Sequence, residues 1–191
     1  MLHTVGVSHH RTFRGLLPLA ALTSFVVVGA ACGGSSASSS NVVGTSGATP
    51  VAGPPAGVQQ FAGLARDHTT EDVTYDQTPP VGGKHDPVWQ PCGFYGEPIR
   101  TERGVHSMEH GAVWITFSPD LPAAQKDRLR SMPVGHTHLL ISPFVGLPSP
   151  IVASAWGEQL KLDSIDDPRL TQFIDYFEQG PQPPDPGAPC A

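Results

Sequence analysis

One segment, residues 105–117, constrains the fold of this chain more than any other. Its second half, the run Ala-Val-Trp-Ile-Thr-Phe at 112–117, is largely apolar at both its odd and its even positions. Because alternate side chains of a β-strand point to opposite faces, this run predicts a strand that is buried on both faces. We therefore expect a central strand over residues 105–117.

Shorter patterns predict the remaining elements, which are a helix over 123–132, strands over 137–142, 151–156 and 158–162, and a last helix over 168–179. Asp166 or Asp167 is expected to cap that last helix, with Pro168 near its first turn. The 21 Gly and 21 Pro of the chain predict short elements joined by rigid turns, with an irregular, Pro/Gly-rich N-terminal third. The predicted fold class is α+β, a small, mainly antiparallel sheet with two helices on one face.

The first 31 residues have the pattern of an export signal. Arg11 and Arg14 form a basic region, and the apolar run at 16–31 is too short for a secure transmembrane helix. Small residues then precede Cys32, and this junction resembles the lipobox of bacterial lipoproteins. The resemblance implies that Cys32 is lipidated and that the exported chain is anchored to the outer, extracytoplasmic face of the cell membrane. The alternative is an ordinary secretory signal that is cleaved near Ala31.

The composition of residues 32–191 predicts a disordered tether, one globular domain and a net negative charge. Residues 32–57 are the lipidated cysteine and a Gly/Ser/Pro-rich stretch, which is expected to be disordered, and residues 58–191 are expected to form one globular domain. The chain has 11 basic and 17 acidic residues, and removing the signal takes Arg11 and Arg14, which leaves a net charge of −8. A nucleic-acid partner is therefore not expected. The membrane, through the lipid on Cys32, is the predicted partner, and no protein partner is identified.

Two cysteines remain after the signal and Cys32 are set aside. An isolated pair outside the cytoplasm usually forms a disulfide, which predicts a bond between Cys92 and Cys190. Cys190 follows a Pro-rich stretch at 180–189 that has no sheet partner of its own, so the bond would pin this tail across the domain. The alternative is a redox pair or a Cys92 nucleophile, although the spacing is not Cys-x-x-Cys.

The segment at 106–110, His-Ser-Met-Glu-His, carries most of the chemical information. It matches the pattern H-x-x-E-H of a class of zinc proteases, and that pattern functions only on a helix. Gly104 and Gly111 flank the segment, and β-branched and aromatic residues follow it. These neighbours favour a strand, on which Gly111 could mark a bulge.

On a strand, His106, Met108 and His110 would project from one face and form a row of metal ligands. Imidazole and thioether groups suit copper, and imidazole also suits zinc. His85, which follows a Gly-Gly turn, could join this row, and His138 is a weaker fourth candidate.

Three blocks of sequence resemble one known family. They are Pro-Pro-Val-Gly-Gly-Lys-His at 79–85, Cys-Gly-Phe-Tyr at 92–95 and Val-His-Ser-Met-Glu-His-Gly at 105–111. They resemble the bacterial family known as domain of unknown function 3105, over roughly residues 60–190. The resemblance implies an exported or membrane-anchored protein and the extent of the domain, and it implies no activity. Leucine is common in the family where Met108 stands, which makes the histidines the better ligand candidates.

Three functions compete on this evidence. The leading prediction is an extracytoplasmic domain that binds copper or zinc through His85, His106 and His110. The second is an envelope enzyme with Glu109 and His110 as acid/base groups, which would need an open cleft lined by aromatic side chains such as Trp89. The third is a binding or scaffold module in which the histidine cluster is structural.

Overall fold

The computed structural model describes residues 53–190, so the expectations for the export signal and for Cys32 lie outside the described residues. The strands are β1 (Gln59–Gln60), β2 (Gly93–Phe94), β3 (Val113–Phe117), β4 (Leu139–Pro143), β5 (Ile151–Ala155) and β6 (Glu158–Leu162). The helices are α1 (Thr101–Glu109), α2 (Ala123–Ser131) and α3 (Pro168–Phe177). Within residues 53–190 no helix has the length and apolar character that crossing a membrane requires.

The six strands form one mixed sheet in the order β1-β6-β5-β3-β4-β2. β3 pairs in parallel with β4, which in turn pairs in parallel with β2. The other three pairings, β3 with β5, β5 with β6 and β6 with β1, are antiparallel. The predicted α+β class is confirmed, and three of the five pairings in the mixed sheet are antiparallel.

Strand β3 is buried along its whole length, as its apolar pattern predicts. Its odd-numbered side chains, such as Ile115, belong to the larger core together with Leu129 of α2 and Phe173 of α3. Trp114, on the opposite face, packs in a second core that also contains Met108 of α1. Helices α2 and α3 therefore cover one face of the sheet, and α1 covers the other.

The prediction of a strand over 105–117 is wrong in its first half, where the chain forms α1. The helix ends in a Schellman motif at Gly111, whose φ is +98°. The Gly111 N–H donates to the Met108 carbonyl at 3.0 Å, and the Ala112 N–H donates to the Ser107 carbonyl at 2.9 Å. Gly111 is thus the residue that terminates a helix, and it does not mark a bulge in a strand.

Gly104 lies inside α1 because the helix approaches the sheet too closely for a larger residue. A Cβ atom at this position would lie 2.8 Å from the ring of Trp114. Trp114 is fully buried, and its indole N–H donates to Ser142 Oγ at 3.0 Å. The glycine therefore allows α1 to pack directly against the central strand.

The elements after β3 begin and end close to their predicted bounds. The predicted helices over 123–132 and 168–179 correspond to α2 and α3, and the three predicted strands correspond to β4, β5 and β6. Asp167 caps α3, since its carboxylate accepts a hydrogen bond from the Arg169 N–H at 2.9 Å.

Candidate metal centre

His106 lies in α1 and His110 is its C-cap residue, so the two side chains lie one turn apart on the same face of the helix. Each imidazole is tied to a backbone carbonyl through Nδ1, at 2.7 Å from Asp86 O for His106 and at 2.9 Å from Pro189 O for His110. A carbonyl only accepts, so both Nδ1 atoms carry the proton. The two Nε2 atoms, which lie 2.9 Å apart, therefore turn bare lone pairs toward each other when both rings are neutral.

His85 and Glu109 form the second part of the cluster. His85 is completely buried, and its Nδ1–H donates to the Gly83 carbonyl at 2.7 Å. Its Nε2 lies 3.0 Å from Glu109 Oε2. Because Nδ1 already carries one proton, a second proton can lie between Nε2 and the carboxylate oxygen. Without that proton, both atoms are free to bind a cation.

His68 completes the cluster from a third segment of the chain. A parallel β-bridge joins His68 to His85, and the Thr69 N–H donates to the His85 carbonyl. The His68 ring stacks on that of His106 at 5.1 Å between centroids, with its Nε2 3.7 Å from Glu109 Oε2. Its side chain is 49% exposed, so the cluster meets solvent on this side.

These contacts gather one ligand atom each from His68, His85, His106 and Glu109 within 4.8 Å of one another. Donor atoms around one zinc ion lie about 3.3 Å apart, given metal–ligand distances near 2.0–2.1 Å. The separations of 3.0 and 3.7 Å to Glu109 Oε2 are of that order. His110 adds a fifth donor atom, the Nε2 that lies 2.9 Å from His106 Nε2.

The surroundings keep His106 available as a neutral ligand. Burial lowers the pKa of His106 below its usual range, and the positive charges of His110 and His85 lower it further. The hydrogen bond to the Asp86 carbonyl and the charge of Glu109 oppose this shift in the pKa. A neutral imidazole with a protonated Nδ1 is the form in which Nε2 binds a metal.

Several loops are fixed to α1, and this holds the cluster in place. Gln90 donates its N–H to Ser107 Oγ at 3.0 Å, and the Ser107 hydroxyl donates to the Gln90 carbonyl at 2.7 Å. The Asp86 carboxylate lies 3.1 Å from Nε of Arg100, just before the helix. The loop that carries His85 is therefore attached to the helix that carries His106 and Glu109.

Two predicted ligands lie elsewhere. Met108 is completely buried in the second core, where it packs with Val105 and Trp114. The strand pattern, which placed Met108 beside the histidines, fails because residues two apart on a helix do not share a face. Both ring nitrogens of His138 have hydrogen-bond partners outside the cluster. Its Nε2–H donates to Ala188 O and its Nδ1 lies beside Thr137 Oγ1, each at 2.9 Å.

Sequence reasoning brought His85, His106 and His110 together with Glu109 nearby, and it missed His68. The segment around His68 is irregular, and nothing in its spacing points toward α1. Only the bridge to His85, a long-range contact, places it in the cluster. The H-x-x-E-H pattern indicated a helix at α1. The strand was predicted instead because Gly104 and Gly111 flank the pattern.

The predicted disulfide is present between Cys92 and Cys190, with a separation of 98 residues. It attaches the C-terminal tail next to the cluster, because Pro189, whose carbonyl accepts from His110, directly precedes Cys190.

Fold and site together define an α+β protein that collects three or four imidazoles and one carboxylate around a short, buried helix. Residues 67–191 match the family DUF3105, described as a protein of unknown function, and the chain belongs to this family. Comparison with curated proteins gave no match, and comparison with solved structures gave none either.

Proposed function

We propose that this protein binds one transition-metal ion through His68, His85, His106 and Glu109, with His110 as an adjacent fifth donor. The observation that carries the proposal is the convergence of four ligand atoms from three separate segments within 4.8 Å. Three of these four residues are buried, and isolated buried polar groups are costly unless they are paired or bind a cation.

The second observation is the orientation of the rings. His85, His106 and His110 each donate Nδ1–H to a backbone carbonyl. Ligating histidines commonly make such a bond, which fixes the tautomer and the direction of the free nitrogen. In a purely structural cluster the facing nitrogens of His106 and His110, 2.9 Å apart, would gain by having one proton between them. The tautomers set by the carbonyls leave both Nε2 lone pairs free in the neutral rings, and a bound metal cation would relieve their repulsion as a shared proton would.

The donor set favours Zn²⁺ or Cu²⁺. Imidazole and carboxylate suit both ions, whereas Cu⁺ prefers sulfur ligands. Met108, the thioether that would have favoured Cu⁺, packs in the core against Trp114. The disulfide occupies Cys92 and Cys190.

The geometry favours metal binding over open acid/base catalysis. Glu109 and His110 are both buried, with 8% and 7% of their surfaces exposed. Glu109 faces the His85 ring, and Trp89 lies beside His110 at 5.5 Å between ring centroids. The enzyme hypothesis required an open cleft beside Glu109 and His110, lined by aromatic side chains such as Trp89.

We further propose that the domain acts outside the cytoplasm, anchored by a lipid on Cys32. Support comes from the basic and apolar pattern of residues 1–31 and the small residues before Cys32. A disulfide of the kind that joins Cys92 and Cys190 is also typical of oxidising compartments.

Elemental analysis tests the proposed metal binding. The full-length chain would be expressed with its export signal, purified without a polyhistidine tag, and compared with a His85→Ala/His106→Ala variant and a His136→Ala control. About one equivalent of zinc or copper is expected in the parent and in the control, and little in the double variant. If the parent holds neither metal after incubation with both ions, the proposal fails.

A further inference from the structure

The C-terminal strap, residues 185–190, is attached to the candidate metal centre by backbone contacts. Pro189 O accepts from His110 Nδ1–H, and Ala188 O accepts from His138 Nε2–H, both at 2.9 Å. The Asp185 N–H donates to the Glu109 carbonyl at 3.1 Å. The strap therefore contacts two of the residues whose side chains make the cluster.

The strap has no strand or helix of its own, and its far end is held by one covalent bond. Cys190 is bonded to Cys92, and the Cys92 N–H donates to the Cys190 carbonyl. Because the residue next to Cys190 holds the His110 ring, the disulfide fixes a carbonyl that selects the His110 tautomer.

We propose that the strap is a redox-sensitive clasp, closed by the Cys92–Cys190 disulfide, that keeps His110 Nε2 free to bind the metal. The effect of the clasp on metal affinity rests on the proposed metal binding. Its effect on the tautomer of His110 does not depend on a metal. When the clasp is open, Nδ1 of His110 loses its acceptor. The ring then takes the other tautomer and donates Nε2–H to His106 Nε2, 2.9 Å away. Two nitrogens are thereby lost to the ion.

The structure also indicates how a reductant would open the clasp. Cys190 is 1% exposed, whereas Cys92 is partly exposed and lines a cavity of about 260 Å³ with Pro133 and His136. A thiolate of a dithiol reductant attacks Cys92 Sγ, the S–S bond breaks, and Cys190 leaves as a thiolate that takes up a proton. The second thiol of the reductant then attacks the mixed disulfide. This oxidises the reductant to its own disulfide and frees the Cys92 thiol.

A four-protein cycle on the full-length chain tests the clasp without removing the disulfide. Two glycines inserted between Pro189 and Cys190 lengthen the strap and keep the covalent bond. This insertion is made in the parent and in a His110→Ala variant. Zn²⁺ affinity is measured in each protein by competition with a chromophoric chelator.

The insertion is expected to weaken Zn²⁺ binding about 10- to 100-fold in the parent, the usual effect of losing a group that orients a ligand. It should cause no further loss in the His110→Ala background. An equal loss in both backgrounds, or no loss in either, would overturn the clasp. A Cys92→Ala/Cys190→Ala variant that folds is expected to lose as much Zn²⁺ affinity as the insertion variant.

The tautomer is measured separately, in metal-free protein, from the ¹⁵N shifts of the His110 ring. The parent should show Nδ1–H, and the insertion variant should show Nε2–H. The same tautomer in both proteins overturns the clasp, whatever the metal data show. If the parent binds no Zn²⁺ but the tautomer changes, the proposed metal binding fails and the clasp on His110 stands.

Discussion

At the scale of single residues, backbone carbonyls determine what the imidazoles can do. The carbonyls of Gly83, Asp86 and Pro189 each accept a hydrogen bond from one Nδ1–H. A histidine held in this way has one free nitrogen in a known direction. Glu109 faces the His85 ring and would offset part of the charge of a bound divalent cation.

Glu109→Gln is expected to weaken Zn²⁺ binding about tenfold or more, because it removes this charge and leaves the shape of the side chain. The glutamine amide can donate an N–H to the bare His85 Nε2, so the unfolding free energy should change by less than about 1 kcal/mol. Competition titration and urea unfolding measure the two quantities. The exposed Glu97→Gln should change neither, and unchanged affinity in Glu109→Gln would exclude this carboxylate as a ligand.

His106 gives the metal-free protein a pH-dependent stability. Burial lowers its pKa in the folded state, whereas the unfolded chain titrates near the ordinary value of about 6.5. As the pH falls below about 6.5, the unfolded chain takes up the proton first, so stability present above this pH is lost as the pH falls through the folded pKa. Urea unfolding between about pH 7.5 and 5 should show this loss, and His106→Gln should reduce it. An unchanged slope in His106→Gln would contradict the assignment.

At the scale of elements, most of the fold could be predicted from local patterns, and α1 could not. The largely apolar run at 113–117 predicted the buried strand β3 correctly. The periodic apolar side chains at 168–179 predicted α3 correctly. α1 has only nine residues, with Gly104 inside it and Gly111 directly after its C-cap residue, His110. Gly104 is explained by the ring of Trp114, a contact that lies outside the local sequence. Gly111 is an ordinary helix stop, which the strand interpretation took for a bulge.

Gly104→Ala tests the close packing of α1 on β3. The new methyl group would lie 2.8 to 3.0 Å from three atoms of the Trp114 ring, and overpacking of this kind costs about 1–3 kcal/mol of unfolding free energy. Gly96→Ala is the matched control, because nothing lies within 4 Å of its added atom. Urea unfolding should show the loss in Gly104→Ala alone. Equal stabilities would show that the helix lies farther from the sheet.

At the scale of the whole molecule, the site is a product of long-range contacts. His68 and His85 come from irregular segments, His106 and Glu109 from α1, and the carbonyl that holds His110 from the C-terminus. Local patterns grouped His85, His106 and His110, and they could not predict His68, which a long-range bridge to His85 brings to the cluster. The disulfide was predictable, because Cys92 and Cys190 are the two cysteines that remain once Cys32 is set aside.

The disulfide should also stabilise the folded domain. It closes a span of 98 residues, and the chain-entropy model gives about 4–5 kcal/mol for a loop of this length. Urea unfolding of the parent and of Cys92→Ala/Cys190→Ala should differ by roughly this amount. A difference below about 1 kcal/mol would mean that the unfolded chain gains little freedom when the bond is absent.

The most direct test of the central claim is X-ray absorption at the zinc edge for the Zn²⁺-loaded chain. Three or four imidazole nitrogens and at least one oxygen are expected at about 2.0–2.1 Å, with one imidazole fewer in His85→Ala. A zinc ion without imidazole ligands, or a shell that His85→Ala leaves unchanged, would contradict the assignment of this histidine cluster as a metal site.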